Sequence, residues 1–350
     1  MNNTELEALI RAILHERLAP ATEREHGIFA DVDAAIAAAQ HAFLRYQQCP
    51  LKTRSAIIAA LRAELEPHLP TLAAESVAET GMGNQRDKLL KNEAALTNTP
   101  GIEDLTTTAL TGDEERKEGN RRRGRQSPPC IVDESADWVK AAEDIVNGAA
   151  FDYNLPCIAE KSLIVVAAIA ESLIQQMQRV GAQLLTPADT DRLRAVCLPG
   201  RQANKSLVGK SPETLLRAAG LAVPDKAPRL LLAEVTADDP WVTCEQLMPL
   251  LPLVRVADFN QALTLALKVE AGLHHTAIMH SQNVSRLNLA ARLLQTSIFV
   301  KNGPSYAGIG VGGEGFTTFT IATPTGEGTT SARTFARSRR CVLTNGFSIR

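Results

Sequence analysis

The chain has 350 residues, 45% of them hydrophobic and only 4% aromatic, enough for one large or two ordinary domains with a real core. Lys and Arg number 37 against 39 Asp and Glu, a formal net charge of −2, so bulk electrostatics exclude a polyanion binder. The six cysteines (49, 130, 157, 197, 244 and 341) are scattered without a CxxC pair, which argues against a disulfide framework and against a zinc site. No apolar run reaches the roughly 18 residues of a membrane span, and no signal-peptide pattern opens the chain, so the expectation is an intracellular protein without a membrane partner.

The first element is a short amphipathic helix over residues 1–18. Thr4 and Glu7 have the spacing of a capping box, and Pro20 marks the stop. Leu6, Leu9, Ile10, Ile13, Leu14 and Leu18 recur at steps of three and four, giving one apolar stripe. It can pack on its own domain, but the small and polar stretch 19–27 reads as a linker. A detachable amphipathic helix of this kind suits a groove on a partner.

From Ile28 to Leu96 the pattern is helical in three stretches, "DVDAAIAAAQHAFLRYQ", "LKTRSAIIAALRAELEPHL" and "TLAAESVAETGMGNQRDKLLKNEAAL". Alanine-rich faces and short connections suit helices that cover something else. The texture then breaks: ten of the fourteen residues from Asp113 to Gln126 are charged. Acidic residues share the run with the arginines and no aromatics interleave, which argues against a nucleic-acid arm.

Beyond the break, "PPCIVDE", "KSLIVV", "RLLLAEV", "HTAIMHS" and "TSIFVKN" are short β-rich runs. Amphipathic stretches such as "ADWVKAAEDIVNGAA" and "VSRLNLAARLLQ" separate them. This alternation predicts an α/β fold with a mostly parallel sheet. "RRCVLTNGFSIR" reads as a last surface strand.

Cys157 is the residue most able to carry chemistry. It sits in "FDYNLPCIAEKSLIVV", after a helix and a Pro-bounded turn and just before a strand. A single cysteine is usually a small buried hydrophobe, but a loop held by a scaffold is where function collects, and a thiolate attacks carbonyls readily. The glycines of "GIGVGG" lack the strand-turn-helix setting of a dinucleotide cradle. His274, His275 and His280 have no carboxylate or cysteine partner at metal-ligand spacing, so they read as core or surface residues and no metal is expected.

"FDYNLPCIAEKSLIV", "EQLMPLLPLV", "EGLHHTAIMHSQN" and the run from "SIFVKNGPSYAGIGVGG" to "RSRRCVL", with the N-terminal helix, closely resemble the CoA-acylating propionaldehyde dehydrogenases of propanediol-utilising bacterial microcompartments. These belong to the aldehyde dehydrogenase superfamily. The resemblance covers nearly everything outside residues 113–127. It implies oxidation of propionaldehyde with NAD and coenzyme A to propionyl-CoA and NADH in 1,2-propanediol degradation, with Cys157 as the nucleophile that becomes a thioacyl-enzyme. Glu245, in "EQLMP", matches the family's glutamate on the nicotinamide-side ribose; read from its surroundings alone it is a solvated helix-end carboxylate. The glycines 308–315 are expected near the substrate tunnel. The resemblance also implies a homo-oligomer, and residues 1–18 as the helix that takes the enzyme into the microcompartment lumen through shell proteins or other cargo.

Relatives continue after "TTALTGD" with a hairpin arm and the nucleotide-binding βαβ units, which are absent here. One legal back-translation of Asp113–Arg123, read one nucleotide later, gives Met-Lys-Ser-Gly-Lys-Lys-Val-Ile-Gly-Ala, the family segment expected before "NPPC". The expectation is an internal deletion with an out-of-frame junction. The organisation is then an encapsulation helix (1–18), a linker (19–27), a helical remnant of the nucleotide-binding domain (28–112), an aberrant junction (113–127), a largely kept catalytic α/β domain (128–338) and a C-terminal oligomerisation strand (339–350). The Rossmann-type domain is mostly missing, and the oligomer should be disrupted. Two functional readings follow: the enzyme itself, or a catalytically impaired remnant that keeps the targeting helix.

Overall fold

The computed structural model describes residues 27–105, 128–321 and 328–336; the expectations for the N-terminal helix, the charged junction and the C-terminal strand lie outside them. The chain divides into two compact units, Met1–Leu61 and Arg62–Arg350.

In the first unit Asp31 caps α1 (Val32–Gln47), its carboxylate accepting the Ala34 N–H at 2.8 Å. α2 (Leu51–Leu65) begins there and ends in the second unit. Neither helix fully buries a residue, and Val32 and Phe43 are 73% and 58% exposed.

The third helical stretch of the sequence is two helices, α3 (Leu69–Thr80) and α4 (Gln85–Asn98). Gly81 ends α3 in the left-handed conformation (φ 61°), and Asn84 caps α4 by accepting the Asp87 N–H at 2.9 Å. These stop and start signals stand three residues apart inside one alanine-rich window.

The rest builds one seven-stranded sheet. Its elements in chain order are β1 (Pro129–Val132), α5 (Trp138–Ala150), β2 (Ser162–Val166), α6 (Ala167–Val180), β3 (Ala182–Leu184), α7 (Pro187–Cys197), α8 (Pro212–Ala218), β4 (Leu230–Glu234), the single turn α9 (Pro240–Thr243), β5 (Leu250–Val256), α10 (Phe259–Glu270), β6 (Thr276–His280), α11 (Val284–Leu294) and β7 (Ile298–Lys301). The spatial order is β3-β4-β5-β2-β1-β6-β7, and every pairing is parallel. All five β-rich runs of the sequence are strands. β3 is too short to signal itself, and β5 is a mostly apolar run with Pro252 inside it, so neither shows an alternation to read.

Alternate residues feed opposite faces, as the pleat requires. Cys130, Val132, Leu163, Val165, Leu251 and Leu253 face α5 and α6, meeting Ile145, Val146, Leu173 and Met177. Ile131, Ile164, Val254, Ala277 and Met279 face α10 and α11. Burial on both faces explains why these strands read as continuous apolar runs. Three helices start on a polar cap followed by Pro, namely Thr186-Pro187, Ser211-Pro212 and Asp239-Pro240, which fixes where the chain turns back.

Candidate active site

The backbone between α5 and β2 is unusual before any chemistry is considered. Asp152, Tyr153 and Asn154 are consecutive left-handed residues, with φ of 48°, 55° and 65°. Asp and Asn tolerate that region; Tyr does not, at a cost of about 1–3 kcal/mol. Side-chain bonds hold the turn. The buried Asp152 carboxylate accepts from the Asn84 N–H at 3.1 Å, from Lys88 Nζ at 3.5 Å and from Lys91 Nζ, while its own N–H donates to Asp87 Oδ2 at 2.7 Å. Gly83 makes this possible: a Cβ there would lie 1.8 Å from Asp152 Oδ1, and its φ of 71° also favours glycine. The start of α4 is thereby locked to the loop that carries Cys157.

Asn154 and Lys161 close that loop from inside. Asn154 Nδ2 donates to the carbonyls of Ala149 at 2.8 Å and Glu160 at 3.1 Å. The Lys161 ammonium is fully buried and donates to Asn154 O at 2.7 Å, Asn154 Oδ1 at 2.6 Å and Pro156 O at 3.3 Å. Burial lowers the lysine to about 8, against the opposing pull of Glu245, Cys157 and Glu160. Next to it the buried Glu160 carboxyl is raised to about 7 by burial, although bonds from Ser305 favour its charged form.

Cys157 is half-buried on the loop these bonds define. Burial raises its thiol above the ordinary range; the charges of Lys161 and Lys91 work to lower it, and that of Glu245 raises it. The other described cysteines are buried, apart from Cys49. Burial alone pushes Cys197 up to about 12.

Glu245 is half-buried, between α9 and β5. β5 pairs directly with β2, so the segments entering the two strands lie side by side. Cys157 and Glu245 are brought within electrostatic reach of one another at the amino edge of the sheet. That is the reverse of the usual α/β arrangement, in which ligands meet the carboxyl ends of the strands.

A cavity of about 530 Å³ opens beside the left-handed turn, with Asn84, Asp87, Phe151, Tyr153, Tyr306 and Gly312 among its walls. Phe151 and Tyr306 pack with ring centroids 4.9 Å apart and planes tilted by 45°. The "GIGVGG" segment follows β7 from the end of a short 3-10 turn, Ser305–Ile309, and does not open a helix.

The three histidines do not converge. His280 lies buried on β6 with its imidazole held neutral by burial, its pKa lowered to about 3. His275 is buried with Nδ1 at 2.8 Å from Thr276 Oγ1, and His274 Nδ1 lies 2.9 Å from Leu294 O. Among the described residues no cluster of His, Cys, Asp and Glu could hold a metal ion, and no helix is long and apolar enough to cross a membrane.

Sequence reasoning missed Asp152, Asn154, Glu160 and Lys161. The available signal was "EK" at the mouth of an apolar strand, an acid and a base entering a run that the sheet buries on both faces.

No family model matches the chain. A propanal dehydrogenase (CoA-propanoylating) of Salmonella typhimurium is 58% identical, with 100% of each chain covered. The structure of a Rhodopseudomonas palustris propionaldehyde dehydrogenase with bound CoA and an acylated cysteine matches with a TM-score of 0.84 at 34% identity, covering 91% of this chain and 98% of that one. A propionaldehyde dehydrogenase from the Clostridium phytofermentans fucose utilisation bacterial microcompartment matches with a TM-score of 0.85 at 32% identity, covering 93% and 100%. Structures of that enzyme with a histidine or a cysteine changed to alanine match to the same extent.

Proposed function

The chain belongs to the CoA-acylating aldehyde dehydrogenases, and from that premise we propose that it converts propanal, NAD and CoA to propanoyl-CoA and NADH through Cys157. The observation that carries this reading is the convergence of Cys157, Lys161 and Glu245 at one edge of the sheet. The Cys157 thiolate adds to the aldehyde carbon, giving a thiohemiacetal. NAD, when bound, supplies the acceptor for the hydride lost from that carbon. Cys157 then carries a thioester, the CoA thiolate attacks the acyl carbon, and the Cys157 thiolate departs. The left-handed turn and the Lys161 bonds keep the sulfur in one place through both attacks.

The residues present fit one end of the dinucleotide. Glu245, beside Cys157, suits a hydrogen bond to the nicotinamide-side ribose. The pyrophosphate end has no match among the described residues. Among the described residues all the strands lie in one sheet between Pro129 and Lys301, and no glycine-rich turn there leads from a strand into a helix.

That mismatch favours a second reading, a catalytically impaired remnant. The alignment to the Salmonella relative runs over 464 positions, against 350 residues here. This supports an internal deletion that removes most of the nucleotide-binding domain, with residues 113–127 as its junction. Apolar side chains exposed along 28–98, such as Ile28 at 64%, Leu61 at 53% and Leu72 at 43%, suit helices whose sheet is gone. The loss would also disrupt the family's homo-oligomer. A spectrophotometric assay of CoA-dependent NADH formation from propanal separates the readings. Turnover comparable to a complete relative sinks the remnant; absence of turnover alongside acylation of Cys157 supports it.

In the Clostridium relative, the two residues changed to alanine are separated in the chain by the same distance as Cys157 and His275. We assign His275 on that basis as a second functional residue, an imidazole suited to accept the CoA thiol proton. His275→Ala should slow CoA-dependent release of the acyl group while leaving Cys157 acylation by aldehyde and NAD comparatively intact.

Residues 1–18 are proposed to carry the chain into a bacterial microcompartment that degrades 1,2-propanediol, docking their apolar stripe on shell proteins or other cargo. Fusing them to a fluorescent protein tests this: diffuse fluorescence in cells assembling the shell would defeat it.

A further inference from the structure

The loop between α7 and α8 reaches back to the candidate site through one residue. Asn204 fixes its start: the side chain donates to Val196 O at 3.0 Å, near the end of α7, and accepts from the Ser206 hydroxyl at 2.8 Å. Further along, the buried Gly209 meets three other segments at once. Its N–H donates to Leu247 O and its carbonyl accepts the Gly83 N–H, both at 2.9 Å. Its α-carbon faces Leu155 and Met82, since a Cβ there would lie 3.0 Å from Leu155 Cδ2 and 2.9 Å from Met82 Cβ. The φ of 66° is left-handed as well, so glycine is required on two counts. Lys210 adds another tie by donating from Nζ to Gly81 O.

We propose that Gly209 is a positioning residue, which sets where Cys157 and Glu245 stand relative to each other by bonding to the Glu245 segment while packing against the Cys157 loop. This rests on the reading of Cys157 as the nucleophile and Glu245 as the ribose contact. Leu155 stands two residues before Cys157, and Leu247 two after Glu245. Gly83, the third partner, is the residue that admits the Asp152 carboxylate. Sheet pairing alone does not fix the spacing of the two side chains. β2 and β5 are in register from Leu163 and Leu253 onward, but Cys157 and Glu245 both lie on irregular backbone ahead of that register. Leu247 is itself left-handed, with φ of 53°, a conformation that a leucine keeps only where surrounding bonds impose it. Its carbonyl bond to Gly209 is one of them. The proposed reaction needs the acyl carbon on Cys157 and the ribose held by Glu245 at a set spacing, and a misplacement of about 1 Å can cost about a hundredfold in rate.

The test compares Gly209→Ala with the wild-type full chain by hydrogen exchange and by two thiol reagents. The added methyl pushes on Leu155 and Met82 and strains both backbone bonds. Exchange should speed up about tenfold in the peptide carrying Cys157 and in the peptide carrying Glu245, while the peptides of β1 and β6 keep the wild-type rate. Acylation of Cys157 by propanoyl-CoA needs an oriented sulfur and should slow about tenfold; alkylation by iodoacetamide needs only an accessible one and should stay within about twofold. A substitution that merely lowered stability would move the strand peptides and both reagents together. Wild-type exchange in either site peptide, or equal slowing of the two reagents, overturns the proposal. Should the strand peptides of Gly209→Ala also exchange fast, Leu155→Ala carries the test. It leaves the bond to Leu247 in place and removes only the contact with the Cys157 loop. The Cys157 peptide alone should then speed up, and wild-type exchange there overturns the proposal. Hydrogen exchange needs neither aldehyde, CoA nor dinucleotide, so its result stands apart from the functional reading. Propanoyl-CoA labelling a different cysteine of the wild-type chain would remove the nucleophile assignment and leave the linkage through Gly209 standing.

Discussion

The Glu160 carboxylate holds Ser305 twice, accepting its backbone N–H at 3.0 Å and its hydroxyl at 2.7 Å. One end of this contact is the residue before Lys161, three after Cys157. The other begins the turn that leads to Val311 and Gly312 in the cavity wall. The bond therefore couples the loop that carries Cys157 to the glycine segment after β7. Gly148, inside α5, leaves room for it, since a Cβ there would lie 2.4 Å from both carboxylate oxygens. Gly148→Ala should displace Glu160 and destabilise the chain by about 1–3 kcal/mol, read from the denaturant midpoint. An unchanged midpoint would mean that the carboxylate is not confined as described.

The same carboxyl makes stability depend on pH with a definite sign. Its folded pKa of about 7 stands above the ordinary 4.5, so the folded chain binds the proton more tightly than the unfolded chain between those values. Its contribution is full below about 4.5 and is lost as pH rises through about 7, a fall of at most about 3 kcal/mol. Melting temperatures of Glu160→Gln should lack this component. A wild-type curve parallel to that of the variant across the window would contradict it.

Asp152 is predicted to matter more than its exposed-looking sequence context suggests. Removing its carboxylate leaves Lys88 and Lys91 without their shared partner and frees a turn of three left-handed residues. Asp152→Ala should cost about 3 kcal/mol in equilibrium unfolding. Asp152→Asn keeps one acceptor and should cost less. Equal losses for the two would argue that backbone strain, not charge, dominates the site.

Buried thiols should be chemically silent. Cys197→Ala is expected to leave acyl transfer unchanged, whereas Cys157→Ala should abolish it; comparison of propanoyl transfer rates checks both.

Much of this architecture was legible because its residues obey local rules. The stretch opening at Asp31 announces a helix, and "KSLIVV" and "HTAIMHS" announce strands of a mostly parallel sheet. Cys157 and Glu245 could be named from family motifs. Their proximity could not, because it follows from β2 pairing with β5 across an intervening β3 and β4. The loop mechanics were illegible for a similar reason. Nothing in "FDYNLPCIAEK" shows that the lysine folds back onto the asparagine, or that Asp152 reaches α4. The break between α3 and α4 was readable from Gly81 and Asn84, but the alanine-rich pattern around them masked it.

The central claim is that Cys157 is the acyl-carrying nucleophile, and incubation with propanoyl-CoA tests it most directly because acyl transfer in that direction needs no dinucleotide. After quenching at acid pH, mass spectrometry should find a propanoyl thioester on the peptide containing Cys157. Free CoA should remove it, and the Cys157→Ala chain should never acquire it. A folded chain that acquires no adduct, or one whose adduct sits on Cys49 or another cysteine, would contradict the account.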